Sequence, residues 1–215
     1  MKLIYDKYDK NLIAKLPRVL FEGRIFVIIS EKEVNKAVDY LIQQNILGID
    51  TETRPSFKKG QMHQVALLQV ATYDTCFLFR LNLMGISPAI KRLLEDKNIT
   101  KVGLSLQDDL RMLRHRLDFI PGTFIELQNE VKNLGIQDMS LQKIYANLFG
   151  EQIAKGQQLS NWEADILSEA QQRYAATDAW ACIRIYEEIK RMQQEHDYHL
   201  VSTESTNNHP ALEIH

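Results

Sequence analysis

Two acids two residues apart, Asp50 and Glu52, close the run ILGIDTE, and a third, Asp178, interrupts an apolar pattern far along the chain. Residues two apart in a strand share a face, so Asp50 and Glu52 project together while Ile49 and Thr51 point to the other side. Adjacent carboxylates repel, and one shifts its pKa upward unless a cation compensates them; a bound metal is the economical reason for such a pair. A solvated strand end that binds nothing is the competing reading of an isolated D-x-E.

Asp178 raises the same question on a helix. At about 100° per residue, Ala181, Cys182, Ile185, Ile189 and Met192 form one apolar stripe with Asp178 in its middle and Tyr174 one turn earlier on the same face. A carboxylate turned toward a core needs a strong donor or a metal ion. Arg173 and Arg184 project elsewhere on the wheel and make poor partners. In LQDDLRMLRHRL, Leu106, Leu110, Leu113 and Leu117 share a face; Asp109 lies roughly 60° from its centre and Asp108 points almost opposite. Asp109 therefore borders the core, with a surface ion pair as its alternative, and Asp108 is solvated. Four acids on three elements form an oxygen-rich set suited to Mg2+ or Mn2+, and paired ions roughly 4 Å apart serve in-line displacement at phosphorus. That chemistry is phosphodiester hydrolysis.

The elements that must position these acids alternate between strand and helix, which predicts an α/β fold. RIFVIIS (24–30) is a β-branched strand, followed by a helix with Val34, Ala37, Val38, Leu41 and Ile42 at helical spacing. Strands are expected at 46–52, 63–72 and 75–81, the last two joined by Tyr73-Asp74, and together they predict a meander. Ser87 caps a helix with Pro88 at its first position, and a strand returns at 99–105. A helix over 106–117 and a short strand at 122–127 come next. Residues 128–167 read as two short helices joined by the loop FGEQIAKGQQLSNW. SEAQ (168–171) has the form of a capping box and opens a long helix to about Met192.

A chain of 215 residues with 45% hydrophobic content can bury one substantial core, so one domain is expected. The domain spans 24–192, between an N-terminal extension at 1–23 and a polar, unstructured tail at 193–215. Cys76 and Cys182 lie in apolar stretches without metal-ligand spacing, as buried reduced thiols do. No apolar run approaches membrane-spanning length and the N-terminus lacks a signal peptide, so a cytoplasmic protein is expected. A formal charge of −2 excludes a blanket basic surface but leaves local clusters such as Lys58-Lys59 and Arg111, Arg114 and Arg116 to meet phosphates.

In order and type, these motifs resemble the DEDDy branch of the DnaQ-like 3′-5′ exonucleases. GIDTET matches the D-x-E motif, VGLSLQDDLRML the second, and YAATDAW the Y-x-x-x-D motif; LSNW before the last helix is similar to the Werner-syndrome-protein-like and ribonuclease D groups. The likeness runs from about residue 24 to 190. It implies a ribonuclease-H-like three-layer fold, a mixed β-sheet flanked by helices. It also implies two Mg2+ or Mn2+ ions held by Asp50, Glu52 and Asp178, with Asp109 acting more indirectly, through water. Tyr174 would orient the nucleophilic water without ionising. The expected reaction releases nucleoside 5′-monophosphates from nucleic-acid 3′ ends, DNA favoured over RNA because the chain stops without a further helical nucleic-acid-binding domain. Phosphate contacts and stacking of the terminal base would hold the strand. The candidates are Thr51, Phe57, Lys58, Lys59, Met62, His63 and Trp162, against a solvated loop for 54–63 and a packing role for Trp162. Two other readings stay open: a catalytically silent nucleic-acid-binding module, and a phosphodiesterase of short oligonucleotides.

Overall fold

Val65–Ala71 and Thr75–Phe79 are buried at every position, the pattern of strands covered on both faces, and they lie in the middle of the sheet. The computed structural model describes residues 1–203 apart from Lys59, Gln61 and Lys155. In chain order the elements are β1 (Lys2–Tyr5), α1 (Lys10–Ile13), β2 (Arg18–Val19), β3 (Arg24–Ile28), α2 (Glu31–Leu41), β4 (Ile46–Thr53), β5 (Val65–Ala71) and β6 (Thr75–Phe79). There follow α3 (Leu81–Met84), α4 (Pro88–Glu95), β7 (Thr100–Gly103), α5 (Leu106–Arg114), β8 (Phe124–Glu126), α6 (Leu127–Asn133), α7 (Leu141–Phe149), β9 (Gln152–Ile153), α8 (Glu169–Glu195) and β10 (Tyr198–Val201).

The main sheet has the order β3-β6-β5-β4-β7-β8. Its β4-β5-β6 part is the expected antiparallel meander, while β3, β7 and β8 each join in parallel. Parallel neighbours need crossovers, and α2, α4 and α5 provide them on one face, where Val34, Leu41, Ile90, Leu93, Leu106 and Leu113 pack against Ile49, Leu68 and Val70. The other face is covered by α8, whose Ala175, Ala176, Ala179 and Ile183 meet the sheet. The result is the three-layer mixed sheet flanked by helices.

Capping chemistry sets the helix starts as the sequence predicts. Ser87 Oγ accepts the Ile90 N–H with Pro88 in the first turn of α4, and Ser168 and Gln171 exchange backbone-to-side-chain bonds of 3.2 and 3.0 Å at the start of α8. Two segments differ from expectation. The two short helices α6 and α7 both precede the loop at 149–162, being joined instead through residues 134–140, and that loop contains β9, paired with β2. The expected tail is structured through its first part: α8 continues to Glu195 and β10 pairs in parallel with β1. Asp6 fastens this clasp, accepting from the Thr203 N–H at 3.0 Å and the Ser202 hydroxyl at 3.2 Å. Residues 204–215 of the expected tail lie outside the described residues, and among those described no helix is long and apolar enough to cross a membrane.

Candidate active site

Beyond Gly48, β4 loses its neighbour β7 but keeps β5, so its last residues stand at the C-terminal edge of the parallel strands. Asp50 and Glu52 project there from one face. Helix α8 reaches the same place because Gly48 has no side chain: a Cβ would overlap the Ala179 carbonyl, standing 2.8 Å from its carbon and 3.1 Å from Ile183 Cγ1. This close approach sets Asp178, the residue before Ala179, against the strand. Ligand oxygens of Asp50, Glu52 and Asp178 all lie within 4.8 Å of one another.

Electrostatics in this cluster are adverse as it stands. Burial, then the charges of Asp109, Glu52 and Asp178, hold the Asp50 carboxyl well above its ordinary range. Burial and the neighbouring acids raise Glu52 likewise, and burial raises Asp178 against a Tyr174 hydrogen bond that lowers it. Asp178 is 4% exposed and its Oδ1 has no hydrogen-bond partner. Gln69, paired with Asp50 across β4-β5, is fully buried with neither amide atom bonded. An all-carboxylate donor set with an orphaned buried oxygen fits a hard divalent cation such as Mg2+ or Mn2+, which would offset the mutual repulsion.

Asp109 stands apart from that triplet. It lies one turn into α5, where its Oδ1 accepts from the Thr51 hydroxyl at 2.6 Å, on the β4 face opposite Asp50 and Glu52. Its charge still acts on both. Burial raises its own pKa, partly offset by the Thr51 bond. Asp108 is exposed and pairs with Arg111 at 2.8 Å, as the wheel predicts. Tyr174 sits one turn before Asp178; burial, then the charges of Asp178 and Glu52, push its phenol pKa up, so the hydroxyl keeps its proton.

The expected substrate contacts divide. Phe57 and Met62 are 86% and 78% exposed on the loop that leaves β4, and Lys58 is exposed beside them. His63 is half-buried, with Nδ1 3.3 Å from Glu163, which also binds Arg54 at 3.2 Å. Lys59 lies outside the described residues. Thr51 commits its hydroxyl to Asp109. Trp162 is corrected: it is fully buried, its ring 6.1 Å from that of Tyr174, so it backs the tyrosine and presents no face to a base. A large apolar ring under the first turns of α8 gains more from burial than from an exposed stacking position.

Sequence reading missed three residues. Gln69 left a trace, as the one amide in VALLQVA. Gly48 left a weaker one, a glycine inside a strand. Glu126 left none: its carboxylate accepts the N–H groups of Ser105 and Leu106, at the turn from β7 into α5. Ser105 has φ 64°, a left-handed conformation that costs an L-residue about 1–2 kcal/mol.

Residues 25–194 match the family described as 3′-5′ exonuclease. The bifunctional 3′-5′ exonuclease/ATP-dependent helicase WRN of Mus musculus is 33% identical over 152 residues, covering 67% of this chain and 11% of that protein. A 3′-5′ exonuclease of Arabidopsis thaliana is 30% identical over 194 residues, covering 81% of this chain and 66% of that protein. The chain thus spans about a tenth of the first relative and just under two thirds of the second. In three dimensions the Aedes aegypti Nibbler EXO domain superposes with a TM-score of 0.74 at 20% identity, covering 82% of this chain and 92% of that one.

Proposed function

This chain belongs to the 3′-5′ exonuclease family, and we propose that it digests a nucleic-acid strand from its 3′ end with two divalent ions, Mg2+ or Mn2+, held by Asp50, Glu52 and Asp178. Asp109 acts on the same ions through water, and residues 24–192 form the catalytic domain. The observation that carries this reading is the convergence of three carboxylates within 4.8 Å around a buried, unbonded Asp178 oxygen. Such a cluster has no evident structural use and is costly without a cation.

When bound, the ions supply positive charge at the attacked phosphate and at the departing oxygen. The residues of this chain do the rest. Tyr174, kept protonated by its surroundings, holds a water in line with the terminal phosphorus as a hydrogen-bonding group. A new P–O bond forms to that water, which gives up a proton, while the bond to the 3′ oxygen of the preceding nucleotide breaks and that oxygen takes a proton up. The products are a nucleoside 5′-monophosphate and a strand with a fresh 3′-hydroxyl. Phe57 and Met62 offer apolar surface to the bases, and Lys58, Arg54 and His63 stand near for phosphates. Apolar and cationic groups read base faces and phosphates without requiring a 2′-hydroxyl, so a DNA strand can make every contact this loop offers, and DNA is the substrate proposed here.

The test is a panel of 5′-labelled single-stranded DNA, recessed duplex DNA and RNA incubated with Mg2+, Mn2+ or chelator. Progressive shortening with metal is expected, fastest on DNA, and its loss in Asp50→Ala, Glu52→Ala and Asp178→Ala. Persistent shortening by well-purified Asp178→Ala would overturn the site assignment.

A further inference from the structure

The first turn of α5 is held from outside the helix. Glu126 is the register partner of Gly103 across β7-β8, and a Cβ on Gly103 would stand 2.7 Å from the Ile49 carbonyl oxygen, so this edge of the sheet is pressed against the residue before Asp50. From there Glu126 Oε1 accepts the Ser105 N–H at 3.0 Å and Oε2 accepts the Leu106 N–H at 2.7 Å. Oε1 also accepts the Gln128 N–H at 3.1 Å, so one carboxylate caps the first turns of both α5 and α6. The Gln128 side chain adds a second tie, donating to Ser105 Oγ and to the Met139 carbonyl at 3.2 Å each. All of this converges on the left-handed Ser105, where the chain turns out of β7. Asp109 stands one turn further along the helix so fixed and meets β4 through Thr51.

We propose that Glu126 is a positioning residue for the hydrolytic reaction: by clamping the Ser105 turn it sets the pitch and rotation of α5, and thereby the place of Asp109 against Thr51 of the strand that carries Asp50 and Glu52. The inference rests on Asp109 belonging to the metal site. Glu126 suits the task because an ionised carboxylate is acceptor-only and meets two backbone donors at once. An amide in its place turns an N–H2 toward one of those donors. The amide oxygen best serves the Ser105 and Gln128 N–H groups together, so the Leu106 N–H loses its acceptor and the first turn of α5 is free to shift.

The experiment is a double-mutant cycle of Glu126→Gln and Asp109→Asn, read by single-turnover cleavage of a 5′-labelled strand and by calorimetric Mn2+ titration. Amide hydrogen exchange of the metal-free proteins supplies a readout independent of activity. Glu126→Gln is expected to be folded, to cleave about 10- to 100-fold more slowly and to bind Mn2+ more weakly, the loss usual when the groups that orient metal ligands are removed. Its KM for the strand should stay at the wild-type value, and the Leu106 amide should exchange faster. In the Asp109→Asn background the same substitution should cost no further rate beyond about twofold, because its effect passes through Asp109. An equal slowing in both backgrounds, or a wild-type rate in Glu126→Gln despite the loosened amide, overturns the proposal. A wild-type rate in Asp109→Asn alone removes Asp109 from the site, and the inference with it. Should Glu126→Gln not fold, Glu126→Asp, which keeps the charge on a shorter stem, enters the same cycle with the same expectations.

Discussion

Gly48→Ala tests how the two halves of the site meet. The added methyl would stand 2.8 Å from the Ala179 carbonyl carbon and overlap its oxygen, both backbone atoms of α8, so no rotamer relieves the clash. Carbon atoms rest about 3.5–4.0 Å apart, so α8 and β4 must part by about 1 Å. Overpacking of this kind costs about 1–3 kcal/mol, which at about 2–4 °C per kcal/mol for a domain of this size lowers Tm by roughly 2–12 °C. The catalytic loss should be larger than that suggests. Asp178 directly precedes Ala179 and moves with it, away from Asp50 and Glu52, and a misplacement of about 1 Å can cost on the order of a hundredfold in rate. The assay pairs a thermal melt with single-turnover cleavage at saturating Mg2+ and a temperature well below Tm. A folded variant with a wild-type rate would refute the argument that this close approach builds the site.

Three further outcomes are expected. Tyr174→Phe should slow cleavage strongly while leaving Mn2+ affinity largely intact; a wild-type rate removes the hydroxyl from the reaction. Asp108→Ala should cleave at the wild-type rate, since Asp108 is exposed and bonded to Arg111, and a large loss would exchange the roles of Asp108 and Asp109. The metal-free protein should lose stability as pH rises from about 4 to 9, because burial raises Asp178 to about 7 and Glu52 to about 9, against about 4 for carboxyls in the unfolded chain. Between those values the native state binds more protons than the unfolded state, so stability falls with pH. Thermal melts across that range should show the fall, and saturating Mg2+ should abolish it; a flat metal-free profile would contradict the raised values.

The acids were legible because each broke a local pattern. Asp50 and Glu52 share strand parity, and Asp178 with Tyr174 interrupts an apolar helical stripe, so one element at a time exposes them. Helix caps at Ser87 and Ser168 were legible for the same reason: their partners lie three residues away. What escaped depends on pairings between distant parts of the chain. β10 is only four residues long inside an otherwise polar stretch, and its partner is β1, at the opposite end of the sequence. Glu126 becomes a clamp only when β7 and β8 align Gly103 beside it, and Gln69 meets Asp50 only through the β4-β5 register. Trp162 was ambiguous by type, since a large ring serves a base or a core equally well, and its burial decides for the core.

Mn2+ binding, followed by loss of the free-ion electron paramagnetic resonance signal, tests most directly whether the converged carboxylates are a metal site. Wild-type protein should bind two ions in competition with Mg2+, and Asp178→Asn should weaken binding strongly while keeping its fold, since the substitution removes a buried charge. Binding that is absent in the wild type, or unchanged in folded Asp178→Asn, would contradict the account.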